Sequence, residues 1–430
     1  MVPLVCGGGT DGTIVTMHSA TLAIDEAVRA RRAAGEDVLH LGFGEAGLPV
    51  LGEVAEVLAA AAGQNSYGPV AGSPQARAAA ADWFTRRDLP TRPEQVVFAP
   101  GSKALLFALL LALPGDVVLP RPAWVSYAAQ ARLAGKRTVG VPIPAEAGGV
   151  PDPSLLADAL REAREAGLDP GVLVLTVPDN PTGTVARAEQ VRAVCEVAER
   201  AGLAVLADEI YGELVHDGTA APRAVDRLPE RTVVTTGLSK SLALGGYRIG
   251  FARLPDGAWG DRLHAELIGV ASEIWSGLAA PMQAVAAHVL ADPPTVRERV
   301  AASRRLHAAV AKAVHAEFTA AGAECRAPEA GFYLYPDFEP LRPVLARQGV
   351  DGGAALSRLL LERYGVGVLP GEAFGDAPEG LRVRVATSLL YGTSDDQRHQ
   401  ALRSPEPTAL PWVADALAHL RKALDALTTP

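Results

Sequence analysis

The stretch VTTGLSKSLALGGYRIG, residues 234–250, decides the fold predicted for this chain. A β-branched run at 233–236 predicts the end of a buried strand, and Gly237 ends that strand. A loop with many small residues follows, and residues 249–254 predict a second strand. The stretch therefore predicts a polar loop held between two buried strands.

Lys240 in this loop can act as a nucleophile. A lysine at a strand end, flanked by small residues, can lie in a pocket, and a desolvated lysine loses its proton more easily. The free amine can then form a Schiff base. Ser239 and Arg248 could hold a phosphate beside it, because the planar guanidinium suits phosphate oxygens. Taken alone, the stretch still favours the alternative of an exposed lysine in a glycine-rich loop.

Composition limits the class of protein. The chain has 430 residues, of which 49% are hydrophobic, enough for a large core and two lobes. A net charge of −9 argues against nucleic acid as the main partner. Cys6, Cys195 and Cys325 have no metal or disulfide spacing, which fits a cytoplasmic localisation. The first residues do not read as a signal peptide, and the most apolar run, 104–113, is too short to span a bilayer.

Strands and helices alternate along residues 95–254, which predicts an α/β fold with a mostly parallel sheet and helices on both faces. Strands are predicted at 95–99, 116–119, 171–177, 203–207, 233–236 and 249–254. Such sheets bind ligands beyond the carboxyl ends of their strands. The polar or aromatic candidates at these ends are Gly101, Ser102, Lys103, Trp124, Asn180, Asp208, Tyr211 and Lys240. Their shared position predicts one pocket.

Two of these strand ends have structural alternatives. A strand, a glycine turn and a helix start at 100–104 form an anion site, because free N–H groups and the helix dipole face outward. Many similar turns bind nothing. Trp124 could stack on a flat ligand or equally pack in the core.

The G-x-G-x-x-G match at 42–47 does not indicate a dinucleotide site, because a polar loop follows its helix where a strand is required.

The remainder of the chain predicts a smaller lobe. Strands are predicted at 330–335, 367–370 and 381–386, with a helix at 355–364 and a final helix at 412–427. An N-terminal helix is predicted at 19–34.

Eight short motifs, in order and spacing, resemble the class I/II aminotransferases of fold-type I, an aspartate aminotransferase-like family of pyridoxal-phosphate enzymes. The resemblance covers about residues 19–430. The eight motifs begin at Tyr67 (YGPVAG), Pro100 (PGSK), Trp124 (WVSY), Asn180 (NPTG), Asp208 (DEIY), Ser239 (SK), Gly246 (GYRIG) and Arg382 (RVRVA). The resemblance implies a large domain with a mostly parallel, seven-stranded sheet flanked by helices, plus a smaller α+β domain. The implied segments are a flexible tail (1–16), an N-terminal part of the small domain (17–48), a large cofactor-binding domain (49–290) and a C-terminal small domain (291–430).

The resemblance also implies pyridoxal 5′-phosphate as cofactor and transamination between an L-amino acid and a 2-oxo acid. Lys240 would form the Schiff base and move the substrate proton. Asp208 would pair with the pyridine nitrogen and keep it protonated. Tyr211 and Asn180 would hydrogen-bond the phenolic oxygen, and Trp124 would stack on the ring. The phosphate side would be held by Gly101, Ser102, Lys103, Ser239 and Arg248.

Further roles implied by the family concern the partner subunit and the substrate. Tyr67 would reach the phosphate of the neighbouring subunit, so that a homodimer shares its active sites. Arg382 would bind the substrate α-carboxylate as a bidentate pair, with Arg384 on the opposite strand face. Gly44 would let the backbone approach that carboxylate, and Asn180 would also face substrate.

The distal end of the substrate is left open by the sequence. Ser19 and Lys103 would face the distal carboxylate of an acidic substrate, with glutamate and 2-oxoglutarate as the expected pair. Lys103 could instead only complement the cofactor phosphate. Asp179, close to the same entrance, would favour a cationic side chain.

Three departures from the family pattern leave the reaction open as well. They are the sequence GEAG at 44–47, Asp179 before Asn180, and a long insert at 390–410. They keep a second reaction type in view: elimination, replacement or carbon–carbon bond formation with the same cofactor. A pyridoxal-phosphate-sensing domain of a transcription regulator is disfavoured, because there is no room for a DNA-binding helix pair before Ser19 and no basic face.

Overall fold

The computed structural model of the protein describes residues 19–428. Within this range the α-helices are α1 (Ala20–Ala33), α2 (Gly52–Ala61), α3 (Pro74–Thr85), α4 (Ser102–Ala112), α5 (Val125–Leu133), α6 (Pro153–Glu165), α7 (Ala188–Ala201), α8 (Leu238–Ser241), α9 (Ala258–Ile274), α10 (Ala280–Leu290), α11 (Pro294–Ala320), α12 (Arg342–Ala346), α13 (Gly353–Tyr364), α14 (Asp395–Arg403) and α15 (Pro411–Thr428). The strands in the same range are β1 (Leu39–His40), β2 (Val96–Pro100), β3 (Asp116–Arg121), β4 (Thr138–Pro142), β5 (Pro170–Leu175), β6 (Ala204–Asp208), β7 (Thr232–Gly237), β8 (Ile249–Arg253), β9 (Tyr333–Leu334), β10 (Val366–Gly367), β11 (Leu369–Pro370) and β12 (Val383–Ala386).

The main sheet has seven strands in the order β2-β8-β7-β6-β5-β3-β4. Strands β3 to β7 run parallel to one another, whereas β8 is antiparallel to both β7 and β2. The prediction of an α/β fold with a mostly parallel, seven-stranded sheet is therefore confirmed. The carboxyl ends of the parallel strands meet at one edge of the sheet, where the polar loops follow.

Helices cover both faces of this sheet because its strands are apolar on both sides. Adjacent residues of β3 show the arrangement. Val117 packs in one core with Leu109 of α4, and Val118 packs in the other core with Leu160 of α6. Each of these side chains is at most 2% exposed. Burying an aliphatic side chain of this size contributes about 1.5–3 kcal/mol, so the two layers of helices fix the sheet in place.

A smaller lobe is built around a three-stranded sheet in the order β11-β12-β9, whose neighbours are antiparallel. The N-terminal arm joins this lobe, because β1 pairs in parallel with β10 and Leu39 lies opposite Val366. Leu39 and Leu41 belong to one apolar core with Phe318 and Phe338. The N-terminal arm and the C-terminal part of the chain thus pack together, as a single small domain formed from both would require. The domain boundaries stay predictions. The predicted tail 1–16, with Met17 and His18, lies outside the described residues.

The sequence analysis did not predict every element, and β4, α5, α6, α9 and α14 are among those it missed. The edge strand β4 was not recognised, because Gly140 and Pro142 interrupt its β-branched pattern and only alternate residues are buried. The predicted insert 390–410 contains α14, whose Ala401 is buried in the core of the smaller lobe and whose helix contacts α11. The insert therefore forms part of the smaller lobe. Within the described range no helix combines the length and apolarity that a membrane span needs.

Candidate active site

A cavity of about 380 Å³ lies between the carboxyl edge of the main sheet and the N-terminal arm. It brings together most of the residues predicted from the sequence: Ser19, Gly44, Ser102, Lys103, Trp124, Asn180, Asp208, Tyr211, Ser239, Lys240 and Arg248. Gly101 is adjacent to this lining, and Tyr67 and Arg382 lie outside it. Residues that the sequence analysis did not assign to the site also line the cavity, namely Thr21, Leu22, Phe43, Glu45, Ser126, Tyr127, Thr176, Ile210, Gly245, Tyr333 and Arg384.

The N-terminus of α4 forms the first wall of the cavity. Gly101 precedes this helix with φ of 92°, and a Cβ atom there would lie 2.1 Å from Nη2 of Arg248. Glycine is therefore required for the guanidinium to lie over the helix start. Arg248 itself adopts a left-handed conformation with φ of 53°. The unpaired N–H groups of α4, the Ser102 hydroxyl and the Arg248 guanidinium together provide a site for an anion.

Lys240 enters the cavity from α8, a single helical turn at the end of β7. Its Nζ donates a hydrogen bond of 2.5 Å to the carbonyl oxygen of Gly44. The ring of Phe332 lies 6.0 Å from the same nitrogen. The amine is thus half-buried and directed across the cavity toward the N-terminal arm.

Asp208, at the end of β6, is 2% exposed and only partly hydrogen-bonded. Its Oδ2 accepts a 2.7 Å hydrogen bond from the Tyr127 hydroxyl, which also lies 2.8 Å from Oγ1 of Thr176. Its Oδ1 is buried and has no hydrogen-bond partner among residues 19–428. Burial raises the pKa of Asp208 to about 6, because the ionised carboxylate is poorly solvated. The free oxygen therefore suits a ligand that donates a hydrogen bond and carries positive charge.

Tyr211 lies against a second tyrosine that sequence reasoning missed. The hydroxyl oxygens of Tyr211 and Tyr333 are 3.0 Å apart, and their rings meet edge to face at 5.5 Å. Burial raises the pKa of Tyr211 well above its usual value. A Cβ atom at Gly44 would lie 2.3 Å from the Tyr333 hydroxyl, so glycine is needed for this approach. Tyr333 was predicted only as a strand residue, because a tyrosine in an apolar strand gives no separate signal.

The structure places Arg384 in the cavity, and not Arg382, which the sequence analysis assigned to the substrate α-carboxylate. Arg384 lines the cavity and is 1% exposed, whereas the side chain of Arg382 is 45% exposed and does not line it. Arg382 instead forms ion pairs with Asp337 at 2.8 Å and Asp376 at 3.3 Å. Residues two apart point to the same face of a regular strand, so the predicted placement of Arg384 on the opposite face does not follow from strand geometry. Arg382 precedes β12, which begins at Val383, and outside the regular strand its side chain is free to turn away from the cavity.

Arg384 is held in the cavity by few polar contacts. Its Nη2 donates to the carbonyl oxygen of Gly42 at 2.6 Å, and its Nη1 lies 3.4 Å from Oδ1 of Asn180. Its guanidinium lies between the rings of Tyr333 and Phe374, at 4.9 and 5.1 Å. Its Nε is buried and has no hydrogen-bond partner within residues 19–428. This buried cation therefore retains capacity for a further acceptor.

Two predicted determinants of the distal end separate in space. Lys103 lines the cavity with its Nζ 5.2 Å from the ring centre of Trp124, and burial followed by the nearby charges of Arg248 and Lys240 lowers its pKa. Asp179 does not line the cavity. Its Oδ2 accepts hydrogen bonds from N and Oγ1 of Thr182, and burial raises its pKa to about 7. The expectation that Asp179 favours a cationic side chain at the entrance is thus not supported.

Tyr67 is 95% exposed and lies away from the cavity of its own chain. Its predicted contact with a neighbouring subunit stays a prediction.

Comparison with known proteins identifies the family. The pattern of Aminotransferase class I and II matches residues 36–390. The aspartate aminotransferase of Bacillus subtilis is 31% identical over 86% of this chain and 92% of its own length, and that of Geobacillus stearothermophilus is 33% identical over the same shares. The solved structure of the Thermus thermophilus aspartate aminotransferase with maleate superposes with a TM-score of 0.76 at 29% identity, covering 90% of this chain and 95% of that one. The chain therefore belongs to the class I and II aminotransferase family and is an enzyme of amino-group transfer.

Proposed function

We propose that the protein binds pyridoxal 5′-phosphate in this cavity and transfers the amino group of an acidic L-amino acid to a 2-oxo acid. One observation carries the proposal. The amine of Lys240 and the unpartnered oxygen of Asp208 line the same cavity, which also contains the anion site at α4. These three groups match an aldehyde, a ring nitrogen and a phosphate on one small molecule.

The residues present fit this cofactor. Oδ1 of Asp208 would accept a hydrogen bond from the protonated ring nitrogen, and that positive charge would lower the pKa of the carboxyl again. The phosphate would lie among Ser102, Ser239 and Arg248, and Trp124 would cover one face of the ring. When bound, the cofactor supplies an electron-accepting ring that stabilises negative charge at the substrate Cα.

The proton transfers are assigned to Lys240. Its Nζ would first act as a general base and take the proton from the substrate Cα. It would then act as a general acid and return the proton in the following step. The ring of Phe332 lies 6.0 Å from this nitrogen, and the Tyr333 hydroxyl donates to the same Gly44 carbonyl oxygen that the amine contacts. The hydroxyl of Tyr211 and the amide of Asn180 would orient the cofactor oxygen beside it.

Arg384, rather than Arg382, would bind the substrate α-carboxylate. Its planar guanidinium has an unpartnered Nε and lies between two aromatic rings, so its orientation is fixed before substrate arrives. Each hydrogen bond from such a charged donor contributes about 1.5–3 kcal/mol.

Lys103 and Ser19 would select the distal carboxylate. Lys103 has no carboxylate partner in the part of the chain that the structure describes, and it lines the cavity beside Trp124. The names of the curated relatives specify aspartate, and the Thermus structure contains maleate, a dicarboxylate. These observations support an acidic amino acid such as aspartate in one half-reaction and the glutamate/2-oxoglutarate pair in the other. The enzyme would act as a homodimer in which Tyr67, exposed in the single chain, completes the partner's phosphate site.

The test is a set of half-reactions followed by cofactor absorbance. Wild type and Lys103→Ala are each mixed with aspartate, glutamate, arginine and phenylalanine, and Lys312→Ala, an exposed lysine on α11, serves as matched control. We expect Lys103→Ala to lose about 5- to 150-fold in kcat/KM for the two acidic donors, the equivalent of roughly 1–3 kcal/mol, and to change little with phenylalanine. Conversion by arginine but not by aspartate or glutamate would overturn the acidic pocket. Release of a leaving group without stoichiometric 2-oxo acid would overturn transamination.

A further inference from the structure

A second cavity, of about 250 Å³, lies at the β4 edge of the main sheet, beside the first. Most of its lining is apolar and comes from β3, β4, α5, α6 and the 3₁₀ turn Gly371–Phe374: Leu119, Pro120, Ala123, Val125, Ala128, Val139, Ala159, Ala163, Ala373 and Phe374. Two charged side chains, Arg121 at the end of β3 and Glu162 on α6, also line it. The cavity is smaller than the roughly 300–1,000 Å³ of sites for drug-sized ligands, so it suits a small molecule.

Solvent reaches both of these charged side chains, since Glu162 is exposed on α6 and Arg121 is half-buried. Within residues 19–428 the side chains of Arg121 and Glu162 take part in no hydrogen bond or ion pair. The next residue, Arg161, points elsewhere and pairs with Asp158 and Glu165. An apolar cavity that contains one cation and one anion, both unpaired, is complementary to a zwitterion with an apolar body.

We infer that this second cavity binds a free α-amino acid with an apolar side chain. The carboxylate of the ligand pairs with Arg121, whose fork of N–H donors matches its two oxygens. The ammonium group pairs with Glu162. The side chain occupies the apolar lining between α5 and the turn Gly371–Phe374, where its burial excludes water. This ligand differs from the proposed acidic substrate, because the cavity offers only one cation.

The geometry also links this cavity to the candidate active site. Trp124 lines both cavities. Phe374 lines the second cavity and packs 5.1 Å from the guanidinium of Arg384, while its carbonyl oxygen accepts a 2.9 Å hydrogen bond from the N–H of Ala123. A ligand that shifts these shared walls changes the active site, and the coupling must be reciprocal. This linkage rests on the proposed function, whereas the binding of the amino acid does not.

The binding test uses 1-aminocyclohexane-1-carboxylate, an apolar amino acid without a hydrogen on Cα, so that no proton can be removed from it. It is titrated calorimetrically into the purified holoprotein and into Arg121→Ala, Glu162→Gln and Ala128→Trp, the last of which fills the cavity from an exposed position on α5. Matched controls are Arg347→Ala and Ala418→Trp, at exposed positions elsewhere. We expect one molecule bound per wild-type chain, at least tenfold weaker binding in the three cavity variants, and no change in the controls. Absent binding to wild type, or equal binding to wild type and cavity variants, overturns the proposal.

Cyclohexanecarboxylate separates the two charge contacts. It lacks the ammonium group, so wild type should bind it at least fivefold more weakly than the amino acid, and Glu162→Gln should remove most of this preference. An unchanged preference in Glu162→Gln overturns the assignment of the ammonium group.

The linkage has its own readout. Saturation with the amino acid should change the Kd of maleate at the active site at least twofold, and maleate should change the Kd of the amino acid by the same factor. An unchanged Kd would overturn the linkage. A failure of maleate to bind at all would instead count against the acidic substrate proposed above, and the calorimetric result would stand independently.

Discussion

Replacing Arg384 by alanine should abolish efficient catalysis, whereas the same change at Arg382, which lies two residues earlier and just before β12, should not. The guanidinium of Arg384 is buried and has an unpartnered Nε in the cavity, whereas Arg382 is paired with two carboxylates outside it. The two variants remove the same type of side chain from neighbouring positions, one inside the cavity and one outside it. They therefore separate a role in substrate binding from any general effect on the strand.

The expected magnitude follows from the contacts. Two charge-assisted hydrogen bonds from Arg384 to an α-carboxylate, at about 1.5–3 kcal/mol each, amount to about 4 kcal/mol when allowance is made for their not being additive. This corresponds to a loss of roughly 10³-fold in kcat/KM. Arg384→Lys keeps the charge but loses the planar fork and should lose roughly 10²-fold. Arg382→Ala removes two ion pairs outside the cavity, each worth about 0.2–1 kcal/mol of stability, and should change kcat/KM less than threefold because Arg382 does not line the cavity.

The assay measures kcat/KM for aspartate at fixed 2-oxoglutarate, and cofactor absorbance checks that each variant still holds its cofactor. Truncation of a buried arginine can also disturb packing, and for that reason Arg384→Lys is included. If Arg382→Ala lost activity as severely as Arg384→Ala while both retained cofactor, the reasoning from cavity lining would be refuted.

Three further predictions concern other parts of the chain. Lys240→Ala should lose nearly all turnover yet remain folded, measured by steady-state rates and circular dichroism beside Lys312→Ala; retention of a borohydride-reducible bond to the cofactor at another lysine would contradict it. Burial raises the pKa of Asp179 in the folded protein from 3.8 to about 7, so the unfolded chain releases this proton first and wild-type stability falls as the pH rises from about 4 to 7. Asp179→Asn removes this loss. It should therefore stabilise the protein relative to wild type by roughly 1.4 kcal/mol per pH unit in this window, up to about 4 kcal/mol. Urea midpoints at pH 5 and pH 8 measure this difference, and an equal gain at both values would be inconsistent with it. Mixing Tyr67→Phe with Lys240→Ala subunits should produce heterodimers with one intact site, seen as recovered activity; a fully active monomer in sedimentation would rule out the shared site.

The residues at strand ends were the most predictable part of the site. Asp208 ends the apolar strand β6, and Lys240 and Asn180 follow β7 and β5 within three and five residues. A polar residue at the end of an apolar run is a local signal. Parallel strands then bring these ends to one edge of the sheet, so local patterns were enough to group residues that are distant in the chain.

Other features depended on packing that no local pattern encodes. Arg382 and Arg384 both belong to the motif RVRVA, and only the folded structure shows that Arg384 enters the cavity while Arg382 pairs with Asp337 and Asp376. The sequence analysis contained Tyr127 only as the last residue of the motif WVSY and Tyr333 only as a strand residue. Both are buried, and their hydroxyl groups face Asp208 and Tyr211 respectively. Whether a buried tyrosine is structural or functional is decided by what its hydroxyl contacts, which requires the fold.

The pairing of β1 with β10 has a consequence for synthesis of the chain. The strand that contains Leu39 cannot pair until Val366, more than 300 residues later in the chain, has been synthesised. At roughly 5–20 residues per second, a ribosome needs about 16–65 s to cover this distance. The main sheet needs only residues up to Arg253 and can assemble earlier. During this interval the apolar stripe of α1, with Ile24 and Val28, lacks Tyr335, Leu369 and Phe374, which cover it in the finished protein. The nascent chain therefore exposes the apolar surface of α1 to chaperones and proteases until translation is nearly complete.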